Sequence, residues 1–165
     1  MRLGFSQDLR IAGWLGPLVL SALVSNAAVA DCSEARVALR GDWGTVRFEV
    51  EVADTATERS IGLMHRDYLA ARSGMLFIYP SLQAVSFWMR NTQISLDMLF
   101  VDLRGIVRHI HHQAEPLDET LIFGGDSVLA VLEINGGLAS DRGITVGSQV
   151  QSPLLPQKFA VWPCE

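Results

Sequence analysis

Two carboxylates stand out because each interrupts a run of apolar residues that reads as a buried strand. Asp97 lies in Leu96–Val101, and Glu133 lies near the end of Ser127–Ile134. A buried carboxylate needs hydrogen bonds or a cationic partner, since otherwise its pKa rises. Two interpretations stay open. The carboxylates could converge with arginines on a ligand, or they could accept backbone N–H groups and pair with an arginine inside the fold.

The segment before Asp97 contributes an aromatic and a cationic side chain. In a strand, Trp88 and Arg90 share one face, opposite the apolar Phe87 and Met89. A half-exposed tryptophan beside a guanidinium suits stacking on a sugar ring, a planar ligand or a partner chain. The alternative is a tryptophan that covers the sheet edge with Arg90 lying over it. The hypothesis is a ligand-binding pocket or groove built from Arg66, Trp88, Asn91, Asp97 and Glu133.

Catalytic and metal-binding patterns are weak in this chain. It contains no G-x-S-x-G, H-E-x-x-H or phosphate-loop motif. Asp97 and Glu133 could act as acid and base of a carbohydrate hydrolase, which requires a defined separation between them. His109 and His111 share a strand face, and the four methionines after the leader could supply soft ligands to copper or zinc. We predict no cofactor, and a binding module is a more economical interpretation than an enzyme.

The first thirty residues have the pattern of a secretory signal peptide. Arg2 and Arg10 precede an apolar run, and residues 25–30 are small and end in Ala-Val-Ala, so cleavage is expected after Ala30. Residues 31–165 then form a single β-rich domain that is periplasmic or secreted and is not inserted in the membrane. Without the leader, 11 of the 13 basic and 17 of the 18 acidic residues remain, a formal charge of −6. Such a protein has no electrostatic reason to bind nucleic acid.

The two cysteines lie at opposite ends of this domain. Cys32 follows the expected cleavage site closely, and Cys164 is the penultimate residue. In an oxidising compartment the two would form a disulfide that ties the termini together. The alternative is a pair of free thiols at frayed ends.

Short strands separated by turns dominate the rest of the chain, and the predicted turns include Tyr79-Pro80-Ser81 and Gly124-Gly125-Asp126. Apolar and charged residues alternate over Val46–Ala53, which predicts a half-buried strand. Thr55 and Glu58 have the spacing of a capping box that opens a short helix, and a second helix is expected over Leu138–Arg142. Further strands are predicted over Met75–Tyr79, Val85–Met89, Leu96–Val101, Ile106–Ile110 and Ser127–Ile134. This pattern favours a mainly β fold, a sandwich or a barrel.

Several of these segments together resemble a known family. The runs "VEVADTATERSIGLMHRDYL", "GMLFIYP", "FWMRNTQISLDMLFVD", "VLEINGG" and "GITVGSQV" are similar to the domain of unknown function number 192 family, over about Phe48 to Val150. The resemblance implies an antiparallel β sandwich or barrel of jelly-roll type with one or two short helices. It implies no established activity. Where the family commonly has proline before its Leu-Asp pair, this chain has Ser95.

The sequence therefore predicts an exported protein that binds without catalysing a reaction. Its partner would be a small molecule, a glycan or a protein of the cell envelope. A carbohydrate hydrolase using Asp97 and Glu133 and a periplasmic copper or zinc binder remain the alternatives.

Overall fold

The computed structural model describes residues 32–164, so the expected signal peptide lies outside the described residues. Seven strands and two short helices follow one another along this part of the chain. Their order is β1 (Arg36–Gly41), β2 (Gly44–Ala53), α1 (Ala56–Ile61), β3 (Ser73–Phe87), β4 (Leu96–Val101), β5 (Val107–Ala114), β6 (Ile122–Asn135), α2 (Leu138–Arg142) and β7 (Gln149–Gln151). The prediction of a mainly β fold is confirmed.

The strands form one mixed sheet in the order β5-β4-β6-β3-β2-β1-β7. Every neighbouring pair is antiparallel except β2 and β3, which run parallel. The expected antiparallel arrangement is therefore wrong at this pair, and the jelly-roll type is not confirmed. The physical reason is the connection over residues 54–72. It contains α1 and is long enough to return the chain to the same end of the sheet, as a parallel pair requires.

The sheet curls until its two edges meet at one end. Ile106, just before β5, forms a bridge with Gln149 of β7. The Val107 N–H donates to the Ser148 carbonyl at 2.9 Å, and the Val150 N–H donates to the Gly105 carbonyl at 2.7 Å. These bonds satisfy edge groups that would otherwise stay unpaired. The result is a half-barrel whose inner face curves around an apolar core.

Each face of the sheet carries its own apolar cluster. The inner core draws side chains from all seven strands and from α2. The outer cluster lies on the opposite face of β2 to β6, where residues from the loops after α1 and after β3 cover it. Its largest members are Met75, Phe77, Met89, Met98 and Phe100. A sheet buried on both faces explains why β4 and much of β6 are apolar without alternation.

One disulfide joins the ends of the described chain. Cys32 and Cys164 are bonded, with Cα atoms 5.9 Å apart, as the sequence predicts. Among residues 32–164, no helix is long and apolar enough to cross a membrane.

Candidate functional site

Asp97 is an internal anchor of the inner core. Its side chain is fully buried in β4. The carboxylate accepts three backbone N–H bonds, from Gln113 at 2.8 Å, from Gly137 at 3.0 Å and from Ala139 at 2.7 Å. These donors belong to β5 and to the start of α2, so Asp97 ties both elements to β4. Its oxygens are occupied by the protein's own backbone.

A serine and a histidine lie beside Asp97 but do not form a catalytic triad with it. The Nδ1 atom of His112 is 3.9 Å from Asp97 Oδ1 and 3.4 Å from Ser140 Oγ. In a Ser-His-Asp relay, the aspartate and the serine must contact opposite nitrogens of the ring. Here both approach the same nitrogen, so this geometry cannot pass a proton from the serine through the ring.

Glu133 lies on the other face of the sheet from Asp97. Glu133 pairs in register with Met98 of β4 and with Met75 of β3, and cross-strand partners share a face. Asp97 precedes Met98 in the strand, so its side chain points the opposite way. The two predicted site carboxylates are therefore separated by the sheet itself. A two-carboxylate hydrolase mechanism needs both groups on one substrate bond, and this arrangement does not bring them together.

The outer face holds a pocket of about 340 Å³, and Glu133 is one of its lining residues. We call it the outer pocket. It lies between α1 with the residues that follow, the strand β3, and the segments around Trp88 and Leu121. Phe77, Phe87 and Trp88 supply aromatic walls, with Phe77 and Phe87 in edge-to-face contact at 5.0 Å between ring centroids. This size and composition are those of small-molecule sites in proteins.

Among the residues that the structure describes, Glu133 is the only acid that lines the outer pocket. It is 4% exposed, and within residues 32–164 its carboxyl group forms no hydrogen bond or ion pair with another protein group. Burial raises the pKa of Glu133 from its ordinary value of 4.5 to about 8. Every fully buried side-chain oxygen among the described residues has a hydrogen-bond partner, so the unpartnered Glu133 carboxyl group must be accessible from the pocket. The Glu133 carboxyl group is therefore available to form hydrogen bonds with a molecule that occupies the pocket.

Arg59 and Tyr79 supply the remaining strongly polar groups of the pocket. The Arg59 guanidinium donates from Nη1 to the carbonyls of Asp54 and Ile78, the latter at 2.9 Å, and lies 5.2 Å from the Tyr79 ring centroid. Arg59 forms no salt bridge with any described acidic residue. Burial raises the pKa of the Tyr79 hydroxyl to about 12, with the Arg59 charge opposing and the Glu133 charge adding to that shift.

The short helix α1 positions Arg59 over the pocket. Its first turn is closed by the predicted capping box between Thr55 and Glu58. Its last turn ends at Gly62, where φ is 51° and ψ is −133°, a conformation close to the region that essentially only glycine adopts. A Cβ at Gly62 would lie 3.1 Å from the Phe77 ring. The glycine therefore lets the helix end against the aromatic wall.

Of the five predicted site residues, Trp88 and Glu133 line the outer pocket. Trp88 is 40% exposed, and the guanidinium carbon of Arg90 lies 5.4 Å from its ring centroid. Arg66 instead pairs with Glu51 at 2.7 Å on the exposed surface.

Asn91 supports the site without lining it. It adopts a positive φ of 54°, and its carbonyl accepts the His65 N–H at 2.8 Å. This bond fixes the loop that carries Met64, a pocket residue, next to the segment that carries Trp88.

Sequence reasoning found Trp88 but missed Arg59, Tyr79 and the other two aromatic wall residues, Phe77 and Phe87. Tyr79 has the same strand parity as Phe77 and Met75, so the alternation could have placed all three on one face. Arg59 carried no such signal, because its position over the pocket depends on the crossover between two parallel strands.

The predicted metal ligands do not form a cluster of the usual kind. His109 stacks on Phe100 with ring centroids 5.5 Å apart. Among the described residues, no three His, Cys, Asp or Glu side chains converge in a way that could hold a metal ion. Burial lowers the pKa of His111, with the neighbouring His109 and His112 adding to the effect.

A second cavity of about 400 Å³ lies beside the β1–β2 turn and the segment after α2. Its aromatic residue, Trp43, donates from Nε1 to Ser148 Oγ at 3.0 Å, and Arg40 donates to the Gln149 side chain at 2.8 Å. These polar groups already have protein partners. The outer pocket is therefore the better candidate site.

Comparison with known proteins agrees with the resemblance seen in the sequence. The model of the DUF192 family, described as "Uncharacterized ACR", matches residues 37–152. A crystal structure of a protein of unknown function from Novosphingobium aromaticivorans DSM 12444 is 43% identical, with a TM-score of 0.69 over 70% of this chain and 82% of that one. A protein from Sinorhizobium meliloti 1021, described as a proposed transcription regulator, is 37% identical, with a TM-score of 0.69 over 72% of this chain and 93% of that one. No curated protein matches the chain.

Proposed function

The chain belongs to the DUF192 family of uncharacterised proteins, and we propose that it is an exported, non-catalytic module that binds a small amphipathic molecule in the outer pocket. The observation that carries the proposal is Glu133. It is a nearly buried acid that lines an open pocket and has no hydrogen-bond partner among the described residues. A ligand that hydrogen-bonds to this group would offset its desolvation.

The mouth of the pocket supports an apolar part of the ligand. Ile61, Trp88 and Leu121 all line it and are 53%, 40% and 67% exposed. Large apolar side chains that gather at one opening typically mark a place where a ligand or partner is bound. Together with the acid inside, they favour a molecule with one polar end and one apolar end.

Export rests on two independent features. The leader over residues 1–30 has the charge and hydropathy pattern of a signal peptide. The Cys32–Cys164 bond is typical of proteins that fold in an oxidising compartment. A periplasmic or secreted location agrees with both.

The description of the Sinorhizobium protein as a proposed transcription regulator is not extended to this chain. The formal net charge is −5, and binding to nucleic acid draws most of its affinity from basic residues that contact phosphates. A basic surface would be the expected signature of that role.

Binding is tested with 8-anilinonaphthalene-1-sulfonate (ANS), a fluorescent probe with an aromatic body and one anionic group. We expect ANS to bind the native protein, and we expect backbone amide NMR shifts to concentrate at residues 59–64 and 86–92. Ser86→Phe should weaken binding by about tenfold or more, equivalent to roughly 1.4 kcal/mol, because Ser86 lines the pocket and the added ring would fill it.

Ser81→Phe is the matched control, since Ser81 is an exposed residue of the same strand and does not line the outer pocket. Trp88→Ala should also weaken binding, and Phe159→Ala removes a comparably exposed aromatic residue that does not line the pocket. All variants must show the cooperative melting of the native protein. If ANS binding or the NMR shifts were unaffected by Ser86→Phe and Trp88→Ala, the proposed site would be wrong.

A further inference from the structure

The outer pocket is lined by one acidic group and one guanidinium group that do not pair with each other. Glu133 has no hydrogen bond or ion pair among the described residues, and Arg59 forms no salt bridge with a described acid. Both line the same pocket. An ionised group in a partly desolvated site is expected to have an opposite charge nearby, because leaving it unpaired costs free energy. Arg59 is such a group, and an ammonium group beside Glu133 would favour the ionised form of that acid.

The two groups lie at different levels along β3. Glu133 pairs in register with Met75, whereas Arg59 lies over the ring of Tyr79, four residues further along the strand. Four residues of extended chain span about 13 Å. Both side chains line the pocket, and the charges of both act on the Tyr79 hydroxyl, so the gap between the acid and the guanidinium is shorter than this span. The pocket is nevertheless polarised along its length, with the acid at one level and the cation at the other.

The wall between the two levels is aromatic. Phe77 lies between Met75 and Tyr79 on the same strand face, and Phe87 packs against it edge to face. A ligand that connects the two polar groups must therefore place an apolar portion along this wall. The two polar ends and the apolar middle define the ligand chemistry together.

Resting on the proposed function, we infer that the occupant of the outer pocket is a short zwitterion with an ammonium group at Glu133 and a carboxylate at Arg59. An apolar di- or tripeptide has this chemistry, since each extended residue adds about 3.3–3.6 Å between its termini. A single α-amino acid carries both charges on one carbon, so its two charges lie closer together than the termini of a di- or tripeptide. A guanidinium suits the planar carboxylate, and a carboxylate suits the ammonium donor.

The test uses the wild-type protein and a series of capped peptides. Alanyl-phenylalanine and alanyl-phenylalanyl-alanine are titrated by competition with ANS and by calorimetry. Each peptide is compared with its N-acetyl form, which lacks the ammonium, and with its C-terminal amide, which lacks the carboxylate. We expect each cap to weaken binding by about tenfold or more, because it removes a charge-assisted hydrogen bond. Phenylalanine and 6-aminohexanoic acid test the need for separated charges and for the aromatic side chain.

Variants then assign each terminus to its partner. Glu133→Gln keeps the side-chain size, and this variant should bind the free and the N-acetylated peptides with about equal affinity. C-terminal amidation should still weaken binding to it as it does for the wild type. Arg59→Gln should have the reverse effect. Because Arg59 also bonds to two backbone carbonyls, its variant could lose structure. Comparison of the free, N-acetylated and amidated peptides on the wild-type protein tests the need for each charged terminus without that variant.

The outcomes separate this inference from the proposed function. Equal affinity for free and capped peptides, or equally tight binding of phenylalanine alone, would overturn the assignment of the two termini. Binding of ANS in the pocket with no competition by any zwitterion would also overturn it, while leaving a small-molecule binding site in place. Absence of both ANS and peptide binding would remove the proposed function as well.

Discussion

At the scale of single residues, Asp97 and Glu133 show how the same functional group takes two roles in one sheet. Asp97 has three backbone N–H donors around its carboxylate. Glu133 is nearly as buried, but it has no protein donor among the described residues. The first carboxylate stabilises the fold, whereas the second costs stability when it ionises. A group kept at such a cost is a good candidate for function.

The raised pKa of Glu133 predicts a loss of stability as the pH rises. The folded protein keeps the proton up to about pH 8, whereas the unfolded chain loses it near 4.5. Between these values the unfolded state binds fewer protons, so the free energy of unfolding falls by about 1.4 kcal/mol per pH unit on this account. We expect Glu133→Gln to remove this dependence and to be more stable than wild type at pH 8.

Urea denaturation of both proteins at pH 5, 6, 7 and 8 measures the effect as a difference, so other titrating groups such as His111 cancel. Glu115→Gln removes an exposed acid and serves as the control. A difference between wild type and Glu133→Gln that stays constant from pH 5 to pH 8 would contradict a raised pKa at Glu133.

Residue alternation predicted part of this arrangement. It placed Asp97 on the face of Leu99 and Val101, and these three do share the inner face. It could not show that Glu133 faces the other way, because that depends on the register between β4 and β6. A shift of one residue in that register would exchange the two faces, and nothing local to either strand specifies it.

At the scale of elements, the crossover between β2 and β3 creates the outer pocket. The parallel pairing of these strands requires the connection to cross a face of the sheet, and α1 with its following loop does so. The sequence predicted α1 from its capping box but not the parallel pairing that it serves. On the opposite face, α2 is held by Asp97. The two helices therefore belong to separate faces and should respond separately to substitution.

Asp97→Asn tests this separation. The amide nitrogen that replaces one carboxylate oxygen would leave a buried backbone N–H without its acceptor, so we expect a loss of about 3 kcal/mol in the free energy of unfolding. Asp126→Asn, on the exposed surface of β6, is the control and should change stability little. ANS affinity for folded Asp97→Asn should match wild type, because the pocket is on the other face. A stable Asp97→Asn protein with weakened ANS binding would reverse the roles given to the two faces.

Two predicted turns lie inside strands for physical reasons. The turn expected at Pro80 lies within β3, in a stretch between Ile78 and Gln83 where the pairing with β6 is irregular. The missing proline N–H is tolerated in such a stretch. The turn expected at Gly124 lies within β6, where the Phe100 ring packs against the backbone so closely that a Cβ would overlap it. At both positions the backbone conformation depends on residues far away in the sequence, the paired strand β6 for Pro80 and the Phe100 ring for Gly124. Local turn patterns in the sequence cannot reveal such contacts.

At the scale of the whole molecule, the curled sheet brings the chain ends together on the side of β1 and β7. The C-terminal tail is fixed there by several contacts. Gln151 donates to the Pro163 carbonyl at 2.8 Å, the Cys164 N–H donates to the Gln157 side chain at 2.7 Å, and Arg40 lies 4.3 Å from the Trp162 ring centroid. The disulfide closes this region, and none of its residues lines the outer pocket.

The disulfide is therefore expected to control stability without controlling binding. It closes a loop with a sequence separation of 132 residues, and in the chain-entropy account a loop of that length stabilises the folded state by about 4 to 5 kcal/mol. The double variant Cys32→Ser, Cys164→Ser should lose that amount in urea denaturation, and reduction of the wild type should lose as much. Its ANS affinity should stay unchanged under conditions where it is folded. A loss below about 1 kcal/mol would contradict this prediction. It would mean that the tail contacts persist in the unfolded chain and already keep its ends close together, so that the cross-link restricts the unfolded ensemble little further.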